Sequence, residues 1–300
     1  MNRPATDAYV ASGRLDDDIR RWLDEDVGGG DLTTVAVVPT DTQARGFLRT
    51  KESGVIAGLA VAERVFAMAN PPPEIRFMAE DGDRVPAGVT LAEIAGMAES
   101  VLTRERLALN IIQRMSGIAT ATAHMVYLVR PHGARILDTR KTAPGLRALD
   151  KWAVVIGGGH NHRFGLYDMI LVKDNHIAAA GGVANAIRAA VEFRARQNPD
   201  LLIEVEVRSV EELHIALSEA GVDRLLLDNM VSVEGGSVNT SRLAEAVALV
   251  GGRVATEASG NVTERTVAAI AATGVDFISV GALTHSVRAL DVSLDITLDR

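Results

Sequence analysis

The 300-residue sequence contains no cysteine. That removes disulfides, thiolate metal sites and thiol nucleophiles together, and it fits a reducing compartment such as the cytoplasm. Aromatic residues make up only 4% of the chain, too few for the base-stacking platforms of single-stranded nucleic-acid binders. The sequence has no apolar run of about eighteen residues and no signal-peptide-like segment near its start, so the expectation is a soluble, cytoplasmic protein with no membrane contact. Internal repeats and low-complexity linkers are missing as well. What is present is a hydrophobic fraction of 47%, enough to fill one large domain, or a barrel with a smaller companion.

Positive charge is scarce overall but concentrated. From Arg135 to His176 the chain carries seven Lys/Arg against four Asp, together with three of its seven His. This window is +3 in a chain of net −8, which leaves −11 for the remainder. A local cationic patch in an acidic protein suits a small anionic ligand, whereas a nucleic-acid partner goes with a basic stripe on a basic domain.

Residues 14–27 space Leu15, Ile19, Trp22 and Leu23 as one helical face before the Gly28-Gly29-Gly30 stop, and Asp31–Thr34 reads as the start of a strand. An extended run from Ala44 leads to a helix ending near Ala69, and an Asp81-Gly82 turn suggests a hairpin. The first hundred residues thus read as a small mixed α+β domain. The longest helical pattern, Ser100 to Val129, places Val101, Ala108, Ile111, Ile112, Met115 and Ala119 on one stripe. Arg106, Asn110, Gln113 and Gly117 share another face, which is either solvated or functional.

Beyond Gly133 short apolar strands alternate with alanine-rich helices at 183–196, 209–220, 239–250 and 263–273. The strands end at Asp138, Lys173, Glu206, Asp228, Glu257 and Ser279, so nearly every one finishes in a functional group. This alternation implies a parallel sheet, read here as an incomplete α/β barrel with its ligand over the strand C-termini. A doubly wound open sheet is the alternative, and it would hold a ligand at the same end.

Arg140, Lys141, Arg163 and Lys173 fall at or just beyond strand ends, and four such cations suit a ligand with several negative charges. The Gly157–Gly159 run permits close backbone approach to an anion or a tight turn. His160 and His162 raise a zinc-hydrolase alternative, but the pair follows glycines and does not end an apolar strand. Glu204 and Glu206 share one face of their strand and Asp228 ends the next, an oxygen-rich arrangement suited to Mg²⁺ or to internal ion pairs with the lysines. The segments 257–261 and 279–283 place Ser and Gly after the last strands, where barrels commonly hold phosphate. A Schiff-base aldolase built on Lys173 stays open at this level.

The runs EDVGGGDLTT, TKESGVIAGL, RLALNIIQRMSGIAT, DTRKTAPGLR, GGGHNHRFGLYDMILVKDNH, EVEV, LLLDN and VGALTHS, in this order from about residue 20 to the C-terminus, closely resemble the quinolinate phosphoribosyltransferase family. The resemblance implies a type II phosphoribosyltransferase: an N-terminal α+β sandwich with a long connecting helix over residues 1–130, an incomplete TIM-like α/β barrel over 131–285, and a tail, 286–300, packing back on the N-terminal domain. It further implies a homodimer with sites shared between subunits and leaves further assembly open. The implied reaction is Mg²⁺-dependent phosphoribosyl transfer from phosphoribosyl pyrophosphate to quinolinate with decarboxylation, yielding nicotinate mononucleotide, pyrophosphate and CO₂.

Carried over by motif, Arg106 would reach the partner subunit's site, while Thr139, Arg140, His162 and Arg163 would hold the quinolinate carboxylates. Lys141 and Lys173 would meet carboxylate or phosphate charge, and Glu206 and Asp228 would face the ribose and its Mg²⁺; these four are the implied catalytic set. Ser259, Gly260 and Asn261, with Val280, Gly281 and Ala282, would cradle phosphate. The sequence departs from the family at Asn261, where glycine is common, and in a Glu206-to-Asp228 spacing one residue longer than usual. The rivals are a paralogue of the same fold with another acceptor, such as the molybdenum-transport-associated branch, and a non-catalytic anion-binding protein. The complete HNHR and RKTAPG runs weigh against the first, and retention of Lys141, Lys173, Glu206 and Asp228 weighs against the second.

Overall fold

The computed structural model describes residues 4–299. The chain forms two compact units: one runs to Ala123 and takes in Thr142–Gly158 and the chain from Leu283 on, and the other comprises His124–Lys141 and Gly159–Ala282. The first unit contributes helix α1 (Arg14–Val27), strand β1 (Gln43–Thr50), helix α2 (Leu59–Ala67), strands β2 (Glu74–Phe77) and β3 (Thr90–Met97), and most of helix α3 (Ala98–Val129). Strand β4 (Arg135–Leu137) opens the second unit's sheet, and helix α4 (Arg147–Ile156) belongs to the first unit. The second unit continues with β5 (Ile170–Val172), α5 (Asp174–Ala180), α6 (Val183–Gln197), β6 (Ile203–Val207), α7 (Val210–Ser218), β7 (Arg224–Asp228), α8 (Ser241–Val250), β8 (Ala255–Ser259), α9 (Val267–Ala271) and β9 (Phe277–Ser279). Strand β10 (Val292–Asp299) lies again in the first unit.

The first unit's sheet is antiparallel in the order β10-β1-β3-β2, so the chain's last strand pairs along β1, with Leu48 opposite Leu294. Along β1, Ala44, Gly46, Leu48 and Thr50 are buried, and Gln43, Arg45 and Arg49 face water. That alternation is the period of two expected when one sheet face covers a core. In α3 the stripe of Val101, Ala108, Ile111, Ile112, Met115 and Ala119 is buried throughout. Burying each of the larger side chains stabilises the fold by roughly 1.5–3 kcal/mol. The second face is not simply solvated. The Gln113 side chain donates to the Val292 carbonyl at 2.8 Å, and a Cβ at Gly117 would lie 2.1 Å from the Arg288 carbonyl oxygen. Arg106 and Asn110 are the exposed members of that set.

One local expectation is corrected. Asp31–Thr34 starts a short helix, Leu32–Val37, because the Asp31 carboxylate accepts from the Thr33 and Thr34 N–H groups and so caps the turn against the strand preference of Thr and Val. The Asp81-Gly82 turn forms, with the Asp83 N–H donating to the Glu80 carbonyl at 3.1 Å, and it lies in the connection between the antiparallel pair β2 and β3; the Asp81 carboxylate also accepts from the Leu59 N–H at 2.9 Å, at the start of α2.

The second unit's sheet has six parallel strands in the order β4-β9-β8-β7-β6-β5. From β5 to β9 each strand lies beside its predecessor, and β4, the first, comes beside β9, the last. A doubly wound sheet reverses direction at a switch point. No reversal occurs here, so this is a barrel left open between β4 and β5. Its core is apolar at Ile203, Val205, Val207, Leu225, Leu227 and Ile278, all buried. The division at residue 130 read from the sequence keeps 142–158 with the barrel, whereas the contacts assign this segment to the first unit. There Arg114 of α3 meets both oxygens of the buried Asp150 carboxylate of α4, each at 2.8 Å.

Candidate active site

A cavity of about 530 Å³ lies at the C-terminal ends of the six parallel strands and is lined entirely from the second unit. It brings together Thr139, Arg140, Lys141, His162, Arg163, Lys173, Glu206, Asp228 and Ser259. Glu206, Asp228 and Ser259 are among the last residues of their strands, Lys173 directly follows β5, and Thr139, Arg140 and Lys141 lie in the loop after β4.

Asp138 organises one wall. Its buried carboxylate accepts from the Asn161 side-chain amide at 2.5 Å and from the His162 N–H at 2.9 Å. The His160 N–H donates to the Ile136 carbonyl and the Asp138 N–H to the His160 carbonyl, which adds one parallel bridge beside β4. Farther along, Asp168 accepts the N–H groups of Phe164 and Gly165, closing the loop that carries Arg163. The Thr139 hydroxyl accepts the Lys141 N–H at 3.0 Å and turns the chain after β4. Two guanidiniums then line the cavity, and Arg163 also meets the charges of Asp168 and Glu204 and donates to the Met169 carbonyl at 3.4 Å. Arg140 has a buried Nε with no hydrogen-bond partner among the described residues. Burial, and next the positive charge of Arg140, pull the Arg163 pKa below its usual value. Two partly buried cations that destabilise each other make a site that an anion would relieve.

Below the mouth lies a buried charged layer. His162 Nδ1 accepts the Arg163 N–H at 2.7 Å, which leaves the proton on Nε2, 2.9 Å from Glu204 and 3.6 Å from Glu257. Arg224 meets Glu257 at 2.9 Å and stacks on the Phe277 ring at 4.2 Å. Glu204 and Glu257 are both buried, and burial raises both carboxyls; for Glu257, burial followed by the Glu204 charge pushes the pKa to about 7. His162, Glu204 and Glu257 have one ligating atom each within 4.8 Å of one another, a set that resembles a metal site. The Arg224 guanidinium on Glu257 weighs against a dication at that point.

The upper layer is the better place for Mg²⁺. Glu206 at the end of β6 and Asp228 at the end of β7 are oxygen donors of the kind Mg²⁺ takes. A cation already bridges them: Arg208 approaches Glu206 at 2.8 Å and Asp228 at 3.6 Å. Lys173 stands 3.6 Å from Glu206. The carboxylates therefore fit a positive charge held between them.

Beyond β8 the loop is tightly specified. Gly260 has φ +91°, and a Cβ there would lie 2.2 Å from the Asn229 side-chain oxygen, so only glycine fits. Asn261 takes φ +55°, a conformation asparagine tolerates. Its amide donates to the Val231 carbonyl at 2.9 Å, which explains how this position accommodates a side chain. Val280 donates its N–H to the Leu137 carbonyl, and Ala282 is exposed at the start of the Ala282–His285 turn of helix.

Family models for the quinolinate phosphoribosyl transferase N-terminal domain and C-terminal domain match residues 31–116 and 118–295. The chain belongs to the quinolinate phosphoribosyltransferase family. It is 48% identical over 285 residues to the chloroplastic nicotinate-nucleotide pyrophosphorylase [carboxylating] of Arabidopsis thaliana, covering 93% of this chain and 81% of that protein. The probable nicotinate-nucleotide pyrophosphorylase [carboxylating] of Bacillus subtilis is 40% identical, with 91% of this chain and 90% of that protein covered. The crystal structure of NadC from Streptococcus pyogenes superposes with a TM-score of 0.87 at 40% identity, covering 96% of this chain and 98% of that one. The fold is accordingly that of the family, with its incomplete barrel and separate N-terminal sheet.

Against this family background, the residues implied by motif divide. Nine line the cavity, as given above. Arg106 is exposed on α3 in the other unit, and Gly260, Asn261, Val280, Gly281 and Ala282 are outside the lining. In the glycine run at 157–159, a Cβ at Gly157 would lie 2.5 Å from the Ala119 carbonyl oxygen, and Gly158 has φ +88°. Sequence reasoning missed Arg208, Arg224 and Asp174 as members of the charged network. Arg208 had a readable signal, since it directly follows the EVEV strand.

Proposed function

We propose that this family member transfers a phosphoribosyl group from phosphoribosyl pyrophosphate to the ring nitrogen of quinolinate, with loss of the adjacent carboxylate, in NAD biosynthesis. The products are nicotinate mononucleotide, pyrophosphate and CO₂. The observation that carries the reading is the unpartnered, buried Arg140 Nε beside Arg163 in a cavity that also holds Lys141 and Lys173. Such a site fits a dicarboxylate better than a singly charged acid. Charge-assisted hydrogen bonds of this kind are worth roughly 1.5–3 kcal/mol each.

Arg140 and Arg163 clamp the quinolinate carboxylates, with the Thr139 hydroxyl beside them. His162 supports the clamp from below, because its ring is committed to the Arg163 N–H and to Glu204. Lys141 and Lys173 neutralise phosphate and pyrophosphate charge. Glu206 and Asp228 would hold Mg²⁺, which when bound would supply electrostatic stabilisation of pyrophosphate charge, and the two carboxylates would lie near the developing positive charge on the ribose carbon. The chain's own contribution is chiefly positioning and electrostatics. Once the ring nitrogen is quaternised, its positive charge stabilises the electron pair that stays on the ring carbon as the adjacent carboxylate departs as CO₂, and that carbon then takes up a proton. Little water around that carboxylate favours the step.

The family resemblance supports a homodimer in which the exposed Arg106 completes the partner subunit's site, with phosphate held by the loops at Ser259–Asn261 and Val280–Ala282. The division into a sandwich, a barrel and a C-terminal strand on the sandwich is likewise our reading of the domains. The lack of cysteine supports a cytoplasmic setting, and among the described residues no helix is long and apolar enough to cross a membrane. The test is product formation from phosphoribosyl pyrophosphate with quinolinate and, in parallel, with nicotinate. Nicotinate mononucleotide from quinolinate alone supports the reading. Product from nicotinate alone refutes the dicarboxylate clamp.

A further inference from the structure

The charged groups in the upper layer are unevenly matched. Arg208 alone meets three carboxylates: Asp174 at 2.9 Å, Glu206 at 2.8 Å and Asp228 at 3.6 Å. Its side chain is 49% exposed, whereas those of Glu206 and Asp228 are only 5% and 14% exposed. The guanidinium is therefore the main charge compensating two poorly hydrated carboxylates, with Lys173 more distant from one of them at 3.6 Å. A divalent cation needs the same oxygens, and two cations do not share them without strong repulsion.

The backbone of Arg208 is held by hydrogen bonds at both peptide groups, while its side chain reaches the three carboxylates from a half-exposed position. Its N–H donates to Glu212 at 2.8 Å, and its carbonyl accepts from Arg242 at 3.3 Å. Ser209 caps α7 by accepting the Glu212 N–H at 3.1 Å. Arg208 is thus the single residue between the end of β6 and a helix cap, held at both peptide groups. Any exchange at the acidic pair is confined to rotation of its side chain. Asp174, 41% exposed and already bonded to the guanidinium, offers it an alternative partner at the rim.

We propose that Arg208 holds the place of the divalent cation on Glu206 and Asp228 in the free protein, and yields it when phosphoribosyl pyrophosphate arrives with the metal. The consequence is an order of events. The free protein binds metal poorly, and the phosphorylated co-substrate, by bringing negative charge to the same point, makes metal binding favourable. This inference rests on the reading of the site as a metal and phosphoribosyl pyrophosphate site, and it adds a residue that the motif resemblance does not assign.

The experiment is a titration of the substrate-free protein with Mn²⁺, followed by electron paramagnetic resonance of the free ion, for wild type, Arg208→Gln and Arg208→Lys. Removing one positive charge about 4 Å from a dication site should tighten Mn²⁺ binding at least ~10-fold in Arg208→Gln. Arg208→Lys should stay near wild type, and the gain should vanish in Arg208→Gln/Glu206→Gln. Added phosphoribosyl pyrophosphate should raise the Mn²⁺ affinity of wild type far more than that of Arg208→Gln. A gain of affinity cannot arise from misfolding, so a damaged variant does not mimic the result. Equal Mn²⁺ affinity of wild type and Arg208→Gln, or a gain that survives Glu206→Gln, overturns the proposal. Failure of the underlying functional reading shows separately, as absence of nicotinate mononucleotide from the wild-type preparation.

Discussion

Replacing Glu257 by glutamine should remove a pH-dependent loss of stability, and the structure fixes its sign. Burial, then the charge of Glu204, raises the Glu257 carboxyl from 4.5 to about 7, against the opposing influence of His162 and Arg224. The native protein keeps this proton up to about pH 7, whereas the unfolded chain releases it near the ordinary carboxylate value. Between those two values the native state binds more protons, so the stability present at low pH is lost as pH rises. The whole shift corresponds to roughly 3 kcal/mol. Glu204 titrates with it, so the loss assignable to Glu257 alone lies at about 1.5–3 kcal/mol. For a chain of this size roughly 2–4 °C of melting temperature accompanies each kcal/mol, which sets the expected effect near 5 °C. The assay is the melting temperature of wild type and Glu257→Gln at about pH 5 and about pH 8. The wild type minus variant difference should fall by about 5 °C from the lower to the higher pH. Parallel profiles would refute the argument. A difference that grows with pH would show that Arg224 holds Glu257 ionised throughout.

Two further substitutions test the first unit. Arg114→Ala leaves the buried Asp150 carboxylate without its two-point partner and should destabilise by about 3–5 kcal/mol, read as a large drop in melting temperature with Arg114→Lys intermediate. Gly117→Ala drives a Cβ to 2.1 Å from the Arg288 carbonyl oxygen, and should lower stability by about 3 kcal/mol or yield insoluble protein, whereas Ala at exposed Gly29 should change little.

The barrel was legible because period and punctuation agree. Each of the runs ending at Asp138, Lys173, Glu206, Asp228, Glu257 and Ser279 is apolar, short and followed by a helix, and each is a strand in the structure. Asp31–Thr34 misled because a side-chain cap decides that segment, and a carboxylate bonded two and three residues ahead leaves no periodic trace. The fate of 142–158 was hidden for a related reason. Its placement depends on Arg114 and Asp150, 36 residues apart in sequence, and a sequence shows charges without their partners. The same holds in the site. The cations of the mouth were readable as a cluster, yet the engagement of His162 with Glu204, the Arg224 contact to Glu257 and the triple contact of Arg208 join residues far apart in sequence that only the folded sheet and its loops bring together. Gly157–Gly159 was readable as a place of close approach, and what approaches Gly157 is the Ala119 carbonyl of α3.

The most direct measurement of the central claim uses quinolinate labelled in the carboxylate next to the ring nitrogen. Purified protein is given this substrate with Mg²⁺, with and without phosphoribosyl pyrophosphate, and labelled CO₂ is collected against nicotinate mononucleotide formed. The account predicts equal amounts of both, only when phosphoribosyl pyrophosphate is present, and neither in Arg140→Ala/Arg163→Ala. Labelled CO₂ released without phosphoribosyl pyrophosphate, or full turnover by that double variant, would contradict it.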